Sequence, residues 1–345
     1  MKVGKLPLDM LASMLAKLPA GDQSVLVGPR VGEDAAAVAF GDRVLVAGMD
    51  PITFATDLIG WYAVQVNAND IAVMGARPRW LLAALLLPPH APESLVAPIF
   101  DQLVRGCEEL EIALIGGHTE VTPAVSQPVI VGCMLGEAEA GRVITTSSAR
   151  PGDAIILSGP AGIEGTALLA REAGDALRKR GLADDALALA REFLFDPGIS
   201  IVRAALAAAS VGVTAMHDPT EGGVATGLLE LARASGAGFE VEADRIRVLP
   251  LTTEICRLLG LAPLGLIASG ALLVTAPQDR AEAVLHALSK AGAEGVVIGR
   301  MVPASDGLTI TRQGKRHPLP EFERDEVARF LEAQSTTAEE EAPPG

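Results

Sequence analysis

Aromatic residues make up only 3% of this 345-residue chain, with two tryptophans and one tyrosine. So few rings provide no stacking platform for nucleic-acid bases, and Ala, Val and Leu must fill the core. Positive charge is scarce as well: 28 Lys and Arg stand against 43 Asp and Glu, for a net charge of −15. The segment Leu331–Gly345 carries −4 of this through Glu332, Glu339, Glu340 and Glu341, leaving −11 on the body. An acidic body repels nucleic acid and anionic lipid, so neither is an expected partner. An anionic small substrate would need a local cation, most simply a metal ion.

Cysteine is the third scarcity. Cys107, Cys133 and Cys256 lie far apart, with no C-x-x-C and no histidine at ligand spacing. They read as reduced core residues of a cytoplasmic protein, which argues against a disulfide framework or a zinc site. The amino terminus, M-K-V-G-K-L-P-L-D, lacks the apolar core of a signal peptide. The uncharged run Leu258–Gln278 is interrupted by Pro263, Gly265, Ser269 and Gly270, which predicts two buried strands about a turn in place of a membrane span.

What is abundant is apolar residues, at 49%, enough for two domains with sizeable cores. The stretch V-N-A-N-D-I-A-V-M-G-A-R-P-R, Val66–Arg79, places Asn67, Asn69 and Asp70 within one helical turn, ahead of an apolar run that must be buried. Asn67 and Asp70 share a helix face, so an amide and an acid project together from an anchored element. Helix capping is the other reading of such residues. Two more acids occupy junctions: Asp34 follows a turn-rich loop, and Asp50 follows the strand Arg43–Ala47 just before Pro51. Acids at such junctions suit Mg²⁺ shared with phosphates.

Further along, the strand Ile112–Ile115 runs into G-G-H-T-E, Gly116–Glu120, and an amphipathic helix covers Ser94–Leu110. The polar segment Thr145–Pro151 marks the domain boundary. In M-H-D-P-T-E-G-G-V, Met216–Val224, Thr220 is a plausible cap for a helix over Glu221–Ala234. Gly222 and Gly223 weaken that helix by roughly 1 kcal/mol each relative to alanine. Something must therefore approach the backbone closely, a phosphate or a tightly packed neighbour. There is no Walker-type loop ending in Gly-Lys.

In this order and spacing, G-E-D-A-A-A-V, M-D-P-I-T, N-A-N-D-I-A-V-M-G-A-R-P, G-G-H-T-E and H-D-P-T-E-G-G-V resemble the superfamily of aminoimidazole ribonucleotide (AIR) synthase (PurM). That group includes the hydrogenase maturation protein HypE, selenophosphate synthetase and thiamine monophosphate kinase. The likeness runs from about Gly28 to Arg300 and is strongest to HypE-like, AIR synthase-related proteins of unassigned substrate.

The resemblance implies a two-domain, mixed α+β (α/β) architecture, each domain a mixed sheet with helices packed on one side. Residues 1–148 would form the amino-terminal domain with its dimerisation sheet, 149–332 the second domain and 333–345 an acidic disordered tail. It implies an ATP- and Mg²⁺-dependent enzyme working as a homodimer through its amino-terminal domains, with ATP in the cleft between domains. The reaction would phosphorylate an oxygen of a small polar substrate: an amide, carboxylate or hydroxyl. By the same resemblance Asp34, Asp50 and Asp70 bind metal, and Asn67, Asn69, Gly116, Gly117, Thr119, Asp218, Thr220, Gly222 and Gly223 bind nucleotide. Asp70, His118 and His217 are the expected catalytic residues, His217 as a general base or a local hydrogen-bond donor. A maturation-protein partner is a further implication.

Three departures shape the alternatives. His118 stands where relatives usually have Asp or Glu, where it would contact phosphate or substrate. The sequence ends E-E-E-A-P-P-G and lacks the terminal cysteine of HypE, and no Cys or Lys stands in an amino-terminal glycine loop as in selenophosphate synthetase. The competing readings are a non-catalytic ATP-binding assembly or regulatory protein and a thiamine monophosphate kinase-like enzyme.

Overall fold

The structure is a computed structural model that describes residue 6, residues 8–19 and residues 22–341, with side chains described to residue 334. The amino-terminal half contains α1 (Leu8–Leu15), β1 (Val25–Val27), β2 (Ala36–Phe40), β3 (Arg43–Ile52), α2 (Ile59–Val73), β4 (Arg77–Leu87), α3 (Val96–Glu109), β5 (Ala113–Val121) and β6 (Val129–Glu139). Its six strands form one sheet in the order β1-β2-β3-β6-β4-β5, antiparallel except for β4 against β5. Strict alternation along β3, β4 and β6 sends Val44, Val46, Leu81, Leu85, Ile130 and Met134 to the face covered by α2 and α3. The opposite face carries Leu45, Met49, Leu82, Leu86, Val131 and Leu135, half-buried or exposed among the described residues. Met49 is 62% exposed there.

The second half runs β7 (Asp153–Ser158), α4 (Ile163–Glu172), α5 (Gly174–Lys179), α6 (Asp184–Glu192), α7 (Val202–Ala209), β8 (Ala215–His217), α8 (Gly223–Ser235), β9 (Gly238–Glu242), α9 (Pro250–Leu259), β10 (Leu272–Pro277), α10 (Ala281–Lys290), β11 (Gly295–Val302), β12 (Leu308–Arg312), β13 (Lys315–Pro318) and α11 (Glu326–Glu341). The sheet order is β13-β12-β9-β11-β7-β10-β8, mixed because β12 is parallel to β9. Here the expected one-sided layering does not hold. Ile156, Leu272 and Val274 face one apolar cluster with α7 and α10, while Ile155, Leu157 and Leu273 face another under α8. Strands buried on both faces read as continuous apolar runs, as β7 does.

The run Leu258–Gln278 is not two strands: it comprises the end of α9, a 3₁₀ turn at Pro263–Gly265 and the single strand β10. Among the described residues no helix is long and apolar enough to cross a membrane. The last helix, α11, continues to Glu341, so the backbone is helical in much of the segment read as a disordered tail, and residues 342–345 lie outside the described residues.

The two sheets are joined through α2. All fifteen of its residues are buried, because the first sheet covers one side and the second domain the other. Trp61 on α2 packs on Phe195 with ring centroids 5.2 Å apart, and the Arg105 guanidinium lies over both rings. Asn69 donates from its amide to the Ile199 carbonyl and accepts from the Ile201 N–H, both at 2.9 Å. The Thr56 hydroxyl and N–H donate to Glu172, at 2.8 and 3.0 Å, and tie the far end.

Candidate active site between the domains

Helix capping is excluded for Asn67, Asn69 and Asp70, since all three lie inside α2. Asn67 is fully buried, accepts the Asp50 N–H at 2.9 Å and donates to the Asp50 and Ala63 carbonyls. It needs the bare backbone of Gly132 on β6, where a Cβ would overlap its amide. Its amide therefore holds the backbone of Asp50, just as Asn69 holds the second domain. Both were expected to touch nucleotide, and burial with both ends of each amide engaged by backbone makes them positioning groups instead. Asp70 is 6% exposed and packs against Gly48 of β3, beside Ala35.

The loop before β2 carries Glu33 and Asp34 to the second domain. Glu33 accepts the N–H groups of Thr146 and Ser147, at 3.0 and 3.1 Å. Asp34 lies 3.0 Å from Nδ1 of His217, whose Nε2 lies 3.0 Å from Glu230 on α8. Burial opposes charge on His217, but the Asp34 and Glu230 carboxylates outweigh it and hold the imidazole well above its ordinary pKa. A buried imidazolium with both N–H groups committed to carboxylates is unavailable as a general base, one of the two roles read for it from sequence. It is a fixed cation that joins the domains.

An Asp34 oxygen, a His217 ring nitrogen and an Asp218 oxygen all lie within 4.8 Å of one another. Among the described residues these are the groups close enough to share an ion, so Asp34 is gathered with Asp218, while Asp50 and Asp70 stand outside this set. Two carboxylates suit a hard divalent cation, and the imidazole could join only after losing its proton.

The domains also bound a cleft lined by Asp50, Tyr62, Glu164, Thr220, Glu221 and Ser269. Thr220 does not cap α8: Gly222 is the cap residue, in the left-handed region at φ 79°, and the helix begins at Gly223. The Gly222 N–H donates to Asp325 at 2.8 Å, and a Cβ on Gly223 would collide with the Leu264 and Leu266 carbonyl oxygens. What approaches this backbone is the protein itself, so the glycines answer to packing, the second of the two explanations open from sequence.

The G-G-H-T-E motif lies apart from this site. It sits within β5, at the sheet's edge, with every residue of the strand exposed. The His118 side chain is 65% exposed and, among the described residues, pairs with Glu120 at 3.0 Å. A Cβ on Gly117 would strike the Ala83 carbonyl, so that glycine permits strand pairing. Gly116, Gly117, His118 and Thr119 line a separate groove of about 420 Å³ with Phe100, Leu103 and Leu114. Within one chain the motif is not brought to the acids.

Sequence reading missed Tyr62, Glu164, Thr146, Glu230, Ser269 and Asp325. A signal existed for two of them. Glu230 breaks the apolar face formed by Val224, Leu228 and Leu231, and Glu164 follows the Gly159–Gly162 loop at a helix start.

The sequence matches the AIR synthase related protein N-terminal domain over residues 32–138 and the corresponding C-terminal domain over residues 150–310. The chain belongs to the AIR synthase-related family. It is 31% identical over 312 residues to the carbamoyl dehydratase HypE of Rhodobacter capsulatus, covering 88% of each chain. A crystal structure of the hydrogenase maturation protein HypE in complex with ATP superposes with a TM-score of 0.70 at 26% identity, over 92% of this chain and 91% of that one. A ThiL structure complexed with AMPPCP and TMP shares the fold, with a TM-score of 0.70 at 21% identity over 92% and 94% of the two chains.

Proposed function

We propose that this member of the AIR synthase-related family is an ATP-dependent enzyme that transfers the γ-phosphoryl group to an oxygen of a small polar substrate held between its domains. The observation that carries the reading is the grouping of Asp34, His217 and Asp218, together with an interdomain cleft that holds Asp50, Thr220 and Glu221. The likeness to HypE, seen with ATP, supports the choice of nucleotide. Asp34 and Asp218 would hold Mg²⁺, with Asp50 and Asp70 as further candidates on the same side of the first sheet. When bound, such an ion neutralises phosphate charge. The protein's own part is positioning: Asn67 fixes the Asp50 backbone, and His217 with Glu33 fixes the Asp34 loop against the second domain.

The same reading makes the protein a cytoplasmic homodimer. The partly exposed apolar face of the first sheet and the wholly exposed strand β5 support pairing of amino-terminal domains. A second copy is also the natural means of covering His118 and Thr119. The structure of HypE in complex with HypF supports a maturation-protein partner for this chain.

Calorimetry with ATP and Mg²⁺, followed by ADP release against a panel of small metabolites, tests the reading. Binding followed by turnover on one of them is expected, and binding without turnover on any would favour the non-catalytic alternative. Asp70→Asn should cut turnover on the order of 100-fold while leaving the unfolding midpoint near wild type. Turnover at the wild-type rate removes Asp70 from the machinery. Met49→Asp should shift the molecular mass in solution from dimer toward monomer.

A further inference from the structure

The interdomain cleft contains a buried acid that the reading above does not use. Glu164 occupies the first turn of α4, is 4% exposed and accepts the N–H of Ser269 at 3.0 Å. Across the same cleft, the hydroxyl of Tyr62 on α2 is buried without a hydrogen-bond partner among the described residues. A buried hydroxyl left unpaired is costly, by roughly 1–3 kcal/mol, and calls for a ligand. The cleft's charged lining is acidic throughout: Asp50 from β3, Glu164 from α4 and Glu221 from the loop before α8. An anionic acceptor would be repelled there, whereas an uncharged one with a proton to give would be stabilised.

We propose that Glu164 is the base for the transfer reaction, taking the proton of an uncharged hydroxyl acceptor that also accepts a hydrogen bond from the Tyr62 hydroxyl. The inference rests on the ATP-dependent reading and narrows its substrate class by excluding carboxylates. In the step, the acceptor O–H gives its proton to the Glu164 carboxylate, and the acceptor oxygen forms the new bond to the γ-phosphorus of ATP. The bond from that phosphorus to the β,γ-bridging oxygen breaks, its electron pair leaves with ADP, and Glu164 later returns the proton to water.

The environment suits the task. Burial pushes the Glu164 carboxyl up to about 7, and the negative charges of Glu221 and of Asp325, just before α11, push the same way against hydrogen bonds from Ser269. A base that titrates near neutrality is the effective kind.

Water can serve as the simplest hydroxyl acceptor, so slow hydrolysis of ATP is the assay. The wild-type rate should rise with pH through about 7. Glu164→Gln should lower kcat on the order of 100-fold and flatten that rise, with ATP affinity by calorimetry unchanged and the fold intact. Tyr62→Phe should lose several-fold and keep the rise. Glu164→Gln with the wild-type rate and pH profile would overturn the proposal, as would wild-type protein that binds ATP yet releases no ADP at any pH. Wild-type protein that fails to bind ATP at all would overturn the underlying reading, and this inference with it.

Discussion

Two glycine-bearing stretches, G-G-H-T-E on β5 and H-D-P-T-E-G-G at the start of α8, look alike in the sequence and end in opposite surroundings. Each offers a histidine, a threonine, an acid and a pair of glycines. His217 is buried between two carboxylates from different elements, whereas His118 is largely exposed and pairs with Glu120 of its own strand. Gly223 is fixed by a protein backbone pressing on it, and Gly117 by strand pairing alone. The difference teaches that a histidine's chemistry is set by what surrounds it: the carboxylates about His217 favour its charged form, and no such pair from remote elements surrounds His118 among the described residues.

His217→Ala should break the comparison hardest. It removes the imidazolium between the buried Glu230 and the half-buried Asp34, a loss of about 3–5 kcal/mol in denaturant unfolding. The pH dependence has a definite sign. His217 has its pKa raised in the folded state, so its stabilisation is fully present below the unfolded value of 6.5 and is lost as pH rises through the higher folded value. The gap between wild type and variant should therefore narrow toward alkaline pH.

Gly223→Ala comes next, destabilising by about 1–3 kcal/mol because a Cβ meets two carbonyl oxygens at a positive φ. Its measure is the urea midpoint at unchanged m-value. Glu164→Gln carries a smaller effect of opposite direction. Its carboxyl is raised from 4.5 to about 7, so the folded state gains from the protonated form below 4.5 and loses that gain as pH rises through 7. Above neutrality the neutral variant should melt higher than wild type, and the difference should vanish in acid. The smallest effect belongs to His118→Ala, which should leave the unfolding midpoint close to wild type, since its ion pair with Glu120 is exposed. A large loss would show that a second copy covers it.

Much of the fold was legible because it follows from local periodicity. The amphipathic stripe of α3 needs no knowledge of the rest of the chain. Asp34 and Asp218 stood out as candidates because they sit in loops that no apolar pattern explains, and the structure brings the two together. Asn67 and Asn69 pointed to a site and turned out to be its scaffold, since an amide that binds a ligand and one that binds backbone have the same letter and the same spacing. Tyr62 was hidden because it belongs to an apolar helix whose pattern already accounts for it.

By itself the sequence determined the order of motifs, and with it the AIR synthase-related family, two mixed sheets and an acidic, metal-suited character. Only the tertiary structure decided that Asp34 meets His217 across 183 positions of chain, that Glu164 faces Tyr62 across a cleft, and that β5 is left bare. The physical reason is that charge state and ligand access depend on burial and on neighbours brought from remote elements, which local spacing does not encode.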